Sequence, residues 1–123
     1  MLVYLREAHP CDGWAHPEWS GLEDAKDEKA REGNARACVK KLGFGFPVLL
    51  DGMEDRRAAR WSAWPERLFV ISRDGRIVYS GDQGPFGFNP GAGYAGYSEG
   101  PVGQEKGPSL EDFLETYLGK PAE

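Results

Sequence analysis

The sequence predicts one α/β domain whose elements run β-α-β-α-β-β-α. Three observations carry that prediction. Short apolar runs of strand length alternate with segments whose apolar residues recur at helical spacing. An Arg73-Asp74-Gly75 step separates two adjoining strand-like runs, and Asp-Gly in that setting is a strong hairpin signal. Structure breakers gather in one stretch: residues 81–108 hold nine of the 17 Gly and four of the nine Pro, which predicts a long loop ahead of the last helix.

Residues 2–5 are a short apolar run, read as a buried strand. Residues 21–42 read as a helix. Ala35, Cys38, Val39 and Leu42 follow the i, i+3, i+4, i+7 spacing and Gly43 supplies the stop. Its first half is charged all round, with Asp27/Arg31 and Glu32/Arg36 four apart, which places that part in solvent. Residues 47–51 read as a second buried strand, and 54–63 as a short helix turning Ala58, Trp61 and Ser62 to the sheet. Strands at 67–72 and 76–80 flank the Asp-Gly turn. Within the loop that follows, residues 91–97 form a small low-complexity tract. Gly there costs conformational entropy and Pro removes a donor, so neither helix nor central strand fits. Ser109 with an acid at Asp112 opens a final helix in which Leu110, Phe113, Leu114 and Tyr117 share a face; Gly119 and Pro121 end it.

The composition excludes several classes. A chain of 123 residues fits one domain, here 1–123. Hydrophobic residues at 40% with four Trp exclude a disordered chain. The formal charge of −5, with no basic run, argues against nucleic acid or anionic membranes as partners. No apolar stretch approaches membrane-spanning length, and the start lacks a basic segment followed by an apolar one, so no secretory signal is expected. The two Cys cannot build a disulfide scaffold, which fits a reducing, cytoplasmic compartment.

The element order is that of a minimal thioredoxin-like domain, a three-layer sandwich with a parallel βαβ unit and an antiparallel hairpin. The strand order then expected is 47–51, 2–6, 67–72, 76–80. Pro65 strengthens the reading: it stands two residues before the first hairpin strand, where thioredoxin-like proteins place a cis proline beside the active site.

Both His and one Cys fall within eight residues, as His9, Cys11 and His16, with Glu7, Asp12 and Glu18 around them. This segment leaves the carboxyl end of the first strand, the edge at which open α/β sheets bind ligands. Three readings of it stand side by side. In a redox or nucleophilic site, His9 would tune or deprotonate a thiol, with Glu7 acting on the imidazole. In a metal site, His9, Cys11, His16 and Cys38 would form a mixed N/S set, but H-x-C-x(4)-H matches no strong zinc pattern, and no metal is expected. In a polar loop, His9 would bond backbone and Trp14 would pack as a lid. Cys38 lies on the apolar helix face and reads as core, as do Trp61 and Trp64. Arg67 either sits at the wet end of its strand or points into the site. No G-x-G-x-x-G lies between a strand and a helix, so no nucleotide cradle is indicated.

Two longer segments carry a resemblance. Residues 4–14, YLREAHPCDGW, are similar to the strand ending in E-A-H-P-x-D-G-W of the iodothyronine deiodinase family, a peroxiredoxin-related branch of the thioredoxin fold. Residues 65–90, PERLFVISRDGRIVYSGDQGPFGFNP, resemble that family's E-R-L-x-V-I … G-x-I-x-Y-x-G … G-P-x-G-[FY] block, and PVLLDG at 47–52 fits the strand between them. The resemblance implies reductive removal of iodide from an iodothyronine by a selenocysteine or cysteine nucleophile with a thiol reductant as co-substrate and no resident cofactor. By position, Glu7 and His9 match the family's proton-relay pair and Arg67 an Arg implicated in holding substrate. Trp14 and Pro65 would shape the pocket.

In the family, a strand and helix bearing the nucleophile precede the E-A-H strand. Nothing precedes Met1 here, so that βα unit is expected to be absent. Cys11 stands where relatives more often carry Ser or Thr, five residues past the first strand, about where thioredoxins keep their reactive thiol. Without C-x-x-C there is no local resolving Cys. Three expectations follow: a truncated deiodinase-like oxidoreductase, a thiol peroxidase or reductase using Cys11, or a non-catalytic binding or dimerisation module. The substrate would be a small molecule or a thiol. An unpaired strand edge would favour a homodimer.

Overall fold

The computed structural model describes residues 1–15, 21–94 and 107–119, and its architecture is α/β. The chain divides into two compact units, Met1–Pro65 and Glu66–Glu123. His16, Glu18, Pro121 and residues 95–106, which include the end of the low-complexity tract, lie outside the described residues.

The first unit is built from β1 (Leu2–Tyr4), α1 (Glu28–Leu42), β2 (Val48–Leu50) and α2 (Arg56–Trp61). β1 and β2 pair in parallel, with Leu2, Val3 and Tyr4 opposite Val48, Leu49 and Leu50. The Leu2 N–H donates to the Pro47 carbonyl (3.1 Å) and the Asp51 N–H to the Tyr4 carbonyl (2.9 Å). Leu2 and Tyr4 thus spend their backbone groups on β2, and by alternation those of Val3 face the opposite edge.

α1 starts seven residues later than the sequence suggests. Asp27, extended at φ −151°, caps it by accepting the Ala30 N–H, and Gly43 closes it at φ 67° with its N–H on the Val39 carbonyl. Asp27 meets Arg31 through the backbone, accepting its N–H at 3.0 Å, and not through the expected ion pair, because the Arg31 guanidinium turns to Asp55. Nor is Arg31 solvated: it is only 3% exposed. Its Nη1 donates to the carbonyls of Asp51 and Gly52 (3.4 and 2.7 Å) and to Asp55 Oδ1 (2.8 Å). The Glu32–Arg36 pair does form at 2.6 Å.

Asp51 organises the next turn. Its buried carboxylate accepts the N–H groups of Gly52 (2.9 Å), Arg57 (3.2 Å) and Ala58 (2.8 Å), so it caps α2 from four residues ahead of the cap position. Burial alone would raise its pKa; the three N–H donors, with Arg57 nearby, outweigh that and hold it below the usual carboxylate value. Asp55 and Ser62, at either end of α2, are both left-handed, at φ 51° and 46°. Ala58 is buried as expected, but Ser62 closes the helix from an exposed position instead of packing inward.

The buried apolar residues among those described are Ala25, Ala35, Ala58 and Tyr79, and three of the four are small. Leu49 and Leu50 are 50% and 39% exposed, so β2 is only partly covered rather than buried, and Leu42 is exposed at the foot of α1. β1 is half-buried along its length.

The second unit contains β3 (Phe69–Ile71), β4 (Ile77–Ser80) and α3 (Leu110–Leu118). β3 and β4 are antiparallel, with Phe69, Val70 and Ile71 opposite Ser80, Tyr79 and Ile77 and an irregularity between Val70 and Ile71. Gly75 takes φ 83° in the connecting turn, the left-handed geometry for which the Asp-Gly pair is suited. The following loop is tied down where described. Gly84 N–H donates to the Glu66 carbonyl, Gly87 N–H to that of Gln83, and Leu110 N–H to that of Asn89. The Trp64–Pro65 and Gly84–Pro85 peptide bonds are cis. α3 opens on the expected capping box, Ser109 with Asp112, and packs Phe113 on Tyr79 at 5.1 Å. Among the described residues no helix is long and apolar enough to cross a membrane.

Candidate functional site

The chain leaving β1 carries three of the expected site residues in the order Glu7, His9, Cys11. Glu7 is half-buried, and its Oε1 accepts the hydroxyl of Tyr4 from one turn of chain earlier. Its carboxylate also acts on Cys38 across the unit. That thiol is pushed up first by burial and then by the Glu7 charge, with Lys41 opposing. Cys38 is therefore half-buried and within the field of a carboxylate, and both effects favour its protonated form. Proximity between Glu7 and Cys38 has no local signature in the sequence, since 31 positions of chain and a helix lie between them.

His9 meets Trp14 twice. Its Nδ1 lies 3.1 Å from the Trp14 carbonyl oxygen, and the two rings lie 4.5 Å apart at 55°. A carbonyl can only accept, so Nδ1 carries the proton of this bond. In the neutral imidazole, Nε2 is then the nitrogen with the lone pair. A fixed ring with a defined tautomer is what general-base chemistry asks of a histidine. Trp14 is 76% exposed, an indole held over the imidazole rather than sunk in a core.

Cys11 is exposed, and the backbone around it is stitched to the segment leading into α1. Its N–H donates to the Leu22 carbonyl (2.8 Å). Asp12 accepts the Asp24 N–H (2.8 Å) and pairs with Lys26 Nζ (2.9 Å). The Asp24 N–H, then the Lys26 ammonium, hold the Asp12 carboxyl below its usual value. Gly13 closes the turn against Pro10; a Cβ there would lie 3.0 Å from Pro10 Cγ. The thiol thus sits in the open on a backbone that is clipped in place.

Pro65 follows Trp64, whose ring is covered by the Arg6 guanidinium at 4.8 Å to the centroid. Arg67 belongs to the second unit. Its Nε donates to the Gly81 carbonyl (2.7 Å) and its Nη2 to Ser80 Oγ (3.1 Å), and the guanidinium lies 5.1 Å from the Phe69 ring centroid. Of the two sequence readings for Arg67, a strand-end residue or a site residue, this geometry fastens it across the hairpin base. Among the described residues no group of three or more His, Cys, Asp or Glu is placed to hold a metal ion.

The structure therefore brings His9 onto Trp14 and Glu7 toward Cys38, while Cys11 stands on its own clip. Sequence reasoning missed Tyr4 as the partner of Glu7. It also missed Arg6, Arg31 and Asp55 as a connected set, although an arginine inside a helix with buried neighbours at Ala35 was a usable signal.

Comparison with known proteins agrees with the motif reading. The family model described as iodothyronine deiodinase matches residues 1–92. The chain is 31% identical over 90 residues to a type I iodothyronine deiodinase of Xenopus laevis, covering 73% of this chain and 35% of that protein. It is 37% identical over 93 residues to a thyroxine 5-deiodinase of Aquarana catesbeiana, covering 74% and 34%. It is 35% identical over 95 residues to the type II iodothyronine deiodinase of Homo sapiens, covering 72% and 34%. The chain spans about a third of the length of the curated relatives it matches.

Proposed function

The chain belongs to the iodothyronine deiodinase family, and from that premise we propose that it is a thioredoxin-like thiol oxidoreductase of deiodinase type. The β1-α1-β2 unit with parallel strands, and the antiparallel hairpin followed by a helix, are the two halves of a thioredoxin-like architecture and support that reading. The reaction is the reductive exchange of iodine for hydrogen on an aromatic ring. Two thiols give up two electrons and become a disulfide, the ring gains hydrogen, and hydrogen iodide leaves. A thiol reductant is the co-substrate, and the balance requires no resident cofactor.

The observation that carries the proposal is the His9–Trp14 bond, which fixes the ring and its tautomer and so makes Nε2 the basic nitrogen of the neutral imidazole. Glu7 is the second proton-handling group. Cys11, exposed and not subject to the burial that restrains Cys38, is the nucleophile this chain offers. Trp14 and Pro65 shape the substrate side. The same exposed thiol supports a second reading, reduction of peroxides or disulfides with no iodine involved. The working compartment is the reducing cytoplasm, and a homodimer is the expected assembly.

The test is thiol-dependent iodide release from an iodothyronine, alongside peroxide and disulfide reduction, by wild type, Cys11→Ser and Cys38→Ser. The proposal expects iodide release that Cys11→Ser abolishes and Cys38→Ser leaves. Reduction of peroxide without iodide release would select the second reading. No activity above background in any assay for all three proteins would make the chain a non-catalytic module, and equal activity in all three would remove Cys11 as the nucleophile.

A further inference from the structure

Asp55 occupies the cap position of α2 but does not cap it. Its side chain makes no capping bond, and Asp51 supplies that function from the end of β2. Its backbone is left-handed at φ 51°, a conformation that costs free energy for any residue with a Cβ. The carboxylate is spent elsewhere. Oδ1 accepts from the buried Arg31 of α1 at 2.8 Å, and Oδ2 faces Arg6 Nε at 3.7 Å. Arg6 in turn lies over the Trp64 ring at 4.8 Å. One carboxylate therefore joins α1 to the residue that immediately precedes Glu7, and that residue covers the side chain that immediately precedes Pro65.

We propose that Arg6 is a positioning residue: held by Asp55 and laid on Trp64, it fixes the Glu7–His9–Cys11 segment relative to the Trp64–Pro65 turn. This rests on the oxidoreductase reading given above. Two features separate it from a merely structural ion pair. Arg31 already pairs Asp55 with the shorter bond, so Asp55 does not need Arg6 in order to have a cationic partner. The Arg6 side chain is 46% exposed and its ion pair is long, and exposed pairs of that kind contribute little to folding. What Arg6 adds is orientation. Its planar guanidinium can meet a carboxylate at its edge while stacking on an indole with its face, which an ammonium cannot do equally well.

The experiment uses the whole 123-residue chain with Arg6→Gln and Arg6→Lys, and with Arg36→Gln as a control that removes an exposed ion pair to Glu32. Three quantities are read: thermal midpoint, kcat and KM for iodide release, and the backbone amide resonances of Glu7, Ala8, His9, Cys11, Ala63 and Trp64. Arg6→Gln is expected to lower kcat by about tenfold or more, since small misplacements of reacting groups are costly. KM and the thermal midpoint should stay close to wild type, the latter within about 2–3 °C. Both groups of resonances should shift together, Arg6→Lys should recover part of kcat, and Arg36→Gln should change nothing. Unchanged kcat in Arg6→Gln would overturn the proposal, as would a fall in kcat matched by a large fall in thermal midpoint. If the wild-type chain releases no iodide, the oxidoreductase reading fails and the resonances decide the coupling alone. A shift at Ala63 and Trp64 caused by Arg6→Gln would support the link, and no shift there would overturn it.

Discussion

His9 Nδ1 lies 3.1 Å from the carbonyl oxygen of Trp14, while the imidazole and indole rings sit 4.5 Å apart. Five residues of chain thus fold back so that one residue holds the imidazole by its backbone and shields it by its side chain. The backbone bond survives any substitution at Trp14, but the ring contact does not. An aromatic pair contributes about 0.5–1.5 kcal/mol beyond burial, which corresponds to a factor of about 2–12. Trp14→Ala should therefore lower kcat/KM for iodide release by about that factor. Its thermal midpoint should barely move, because the indole is 76% exposed. Parallel kinetics and thermal melts check both halves of the expectation.

The two thiols should separate cleanly in reactivity. Cys11 is exposed, whereas Cys38 is half-buried and raised, first by burial and then by Glu7. The thiolate is the reactive form, so iodoacetamide at pH 8 should label Cys11 at least about tenfold faster than Cys38. Removing the negative charge in Glu7→Gln should lower the Cys38 pKa toward its ordinary value and speed its labelling. Burial would keep it slower than Cys11. Peptide-resolved mass spectrometry follows each site.

Asp51 sets the acid limit of the first unit. Three backbone N–H groups rely on its buried carboxylate. Asp51→Ala strands them and should cost about 2–4 kcal/mol in urea or thermal unfolding. The sign of the pH dependence follows from its lowered pKa. The stabilisation is fully present above the unfolded-state value of about 3.9 and is lost as pH falls through the lower folded-state value. Asp51→Asn, which cannot titrate, should flatten the stability curve in that acid window relative to wild type.

The start of α3 is a further point of failure. Ser109 Oγ accepts the Asp112 N–H at 3.0 Å, and Asp112 Oδ2 accepts the Ser109 N–H at 3.3 Å. Ser109→Ala removes one half of this exchange and should destabilise the second unit by about 1 kcal/mol. A drop in thermal midpoint of a few degrees, with hydrogen exchange accelerated at 110–113, is the expected signature.

Much of this was legible in the sequence wherever the signal is local. Gly43, Gly75 and Ser109 fix their turns and caps through their own backbones and nearest neighbours, and each stands where the pattern put it. The parallel pairing of β1 with β2 and the antiparallel hairpin follow from the order of elements and the Asp-Gly turn. The family was legible because E-A-H-P-x-D-G-W and the later block are long. What escaped is non-local. Arg31 reads as a solvated member of a charged helix face, yet carbonyls and a carboxylate from 20 to 24 residues away draw it inside. The α1 start was misplaced because a charged segment satisfies helical spacing equally well inside or outside the helix, and Asp27 alone decides. Cys38 reads as core, and nothing in its neighbours reveals that Glu7 lies close to it.

The central claim is that Cys11 attacks iodine while protons pass through His9. Its most direct test is a single turnover with an iodothyronine and no external thiol, followed by intact-protein and peptide mass spectrometry. Attack transfers iodine to sulfur and leaves a proton on the ring. Water then replaces the iodide, giving hydrogen iodide and a sulfenic acid. The prediction is about one iodide per chain with one added oxygen located on Cys11, and neither product in Cys11→Ser. Iodide release by Cys11→Ser equal to wild type, or a wild-type chain that releases none and keeps Cys11 as free thiol, would contradict it.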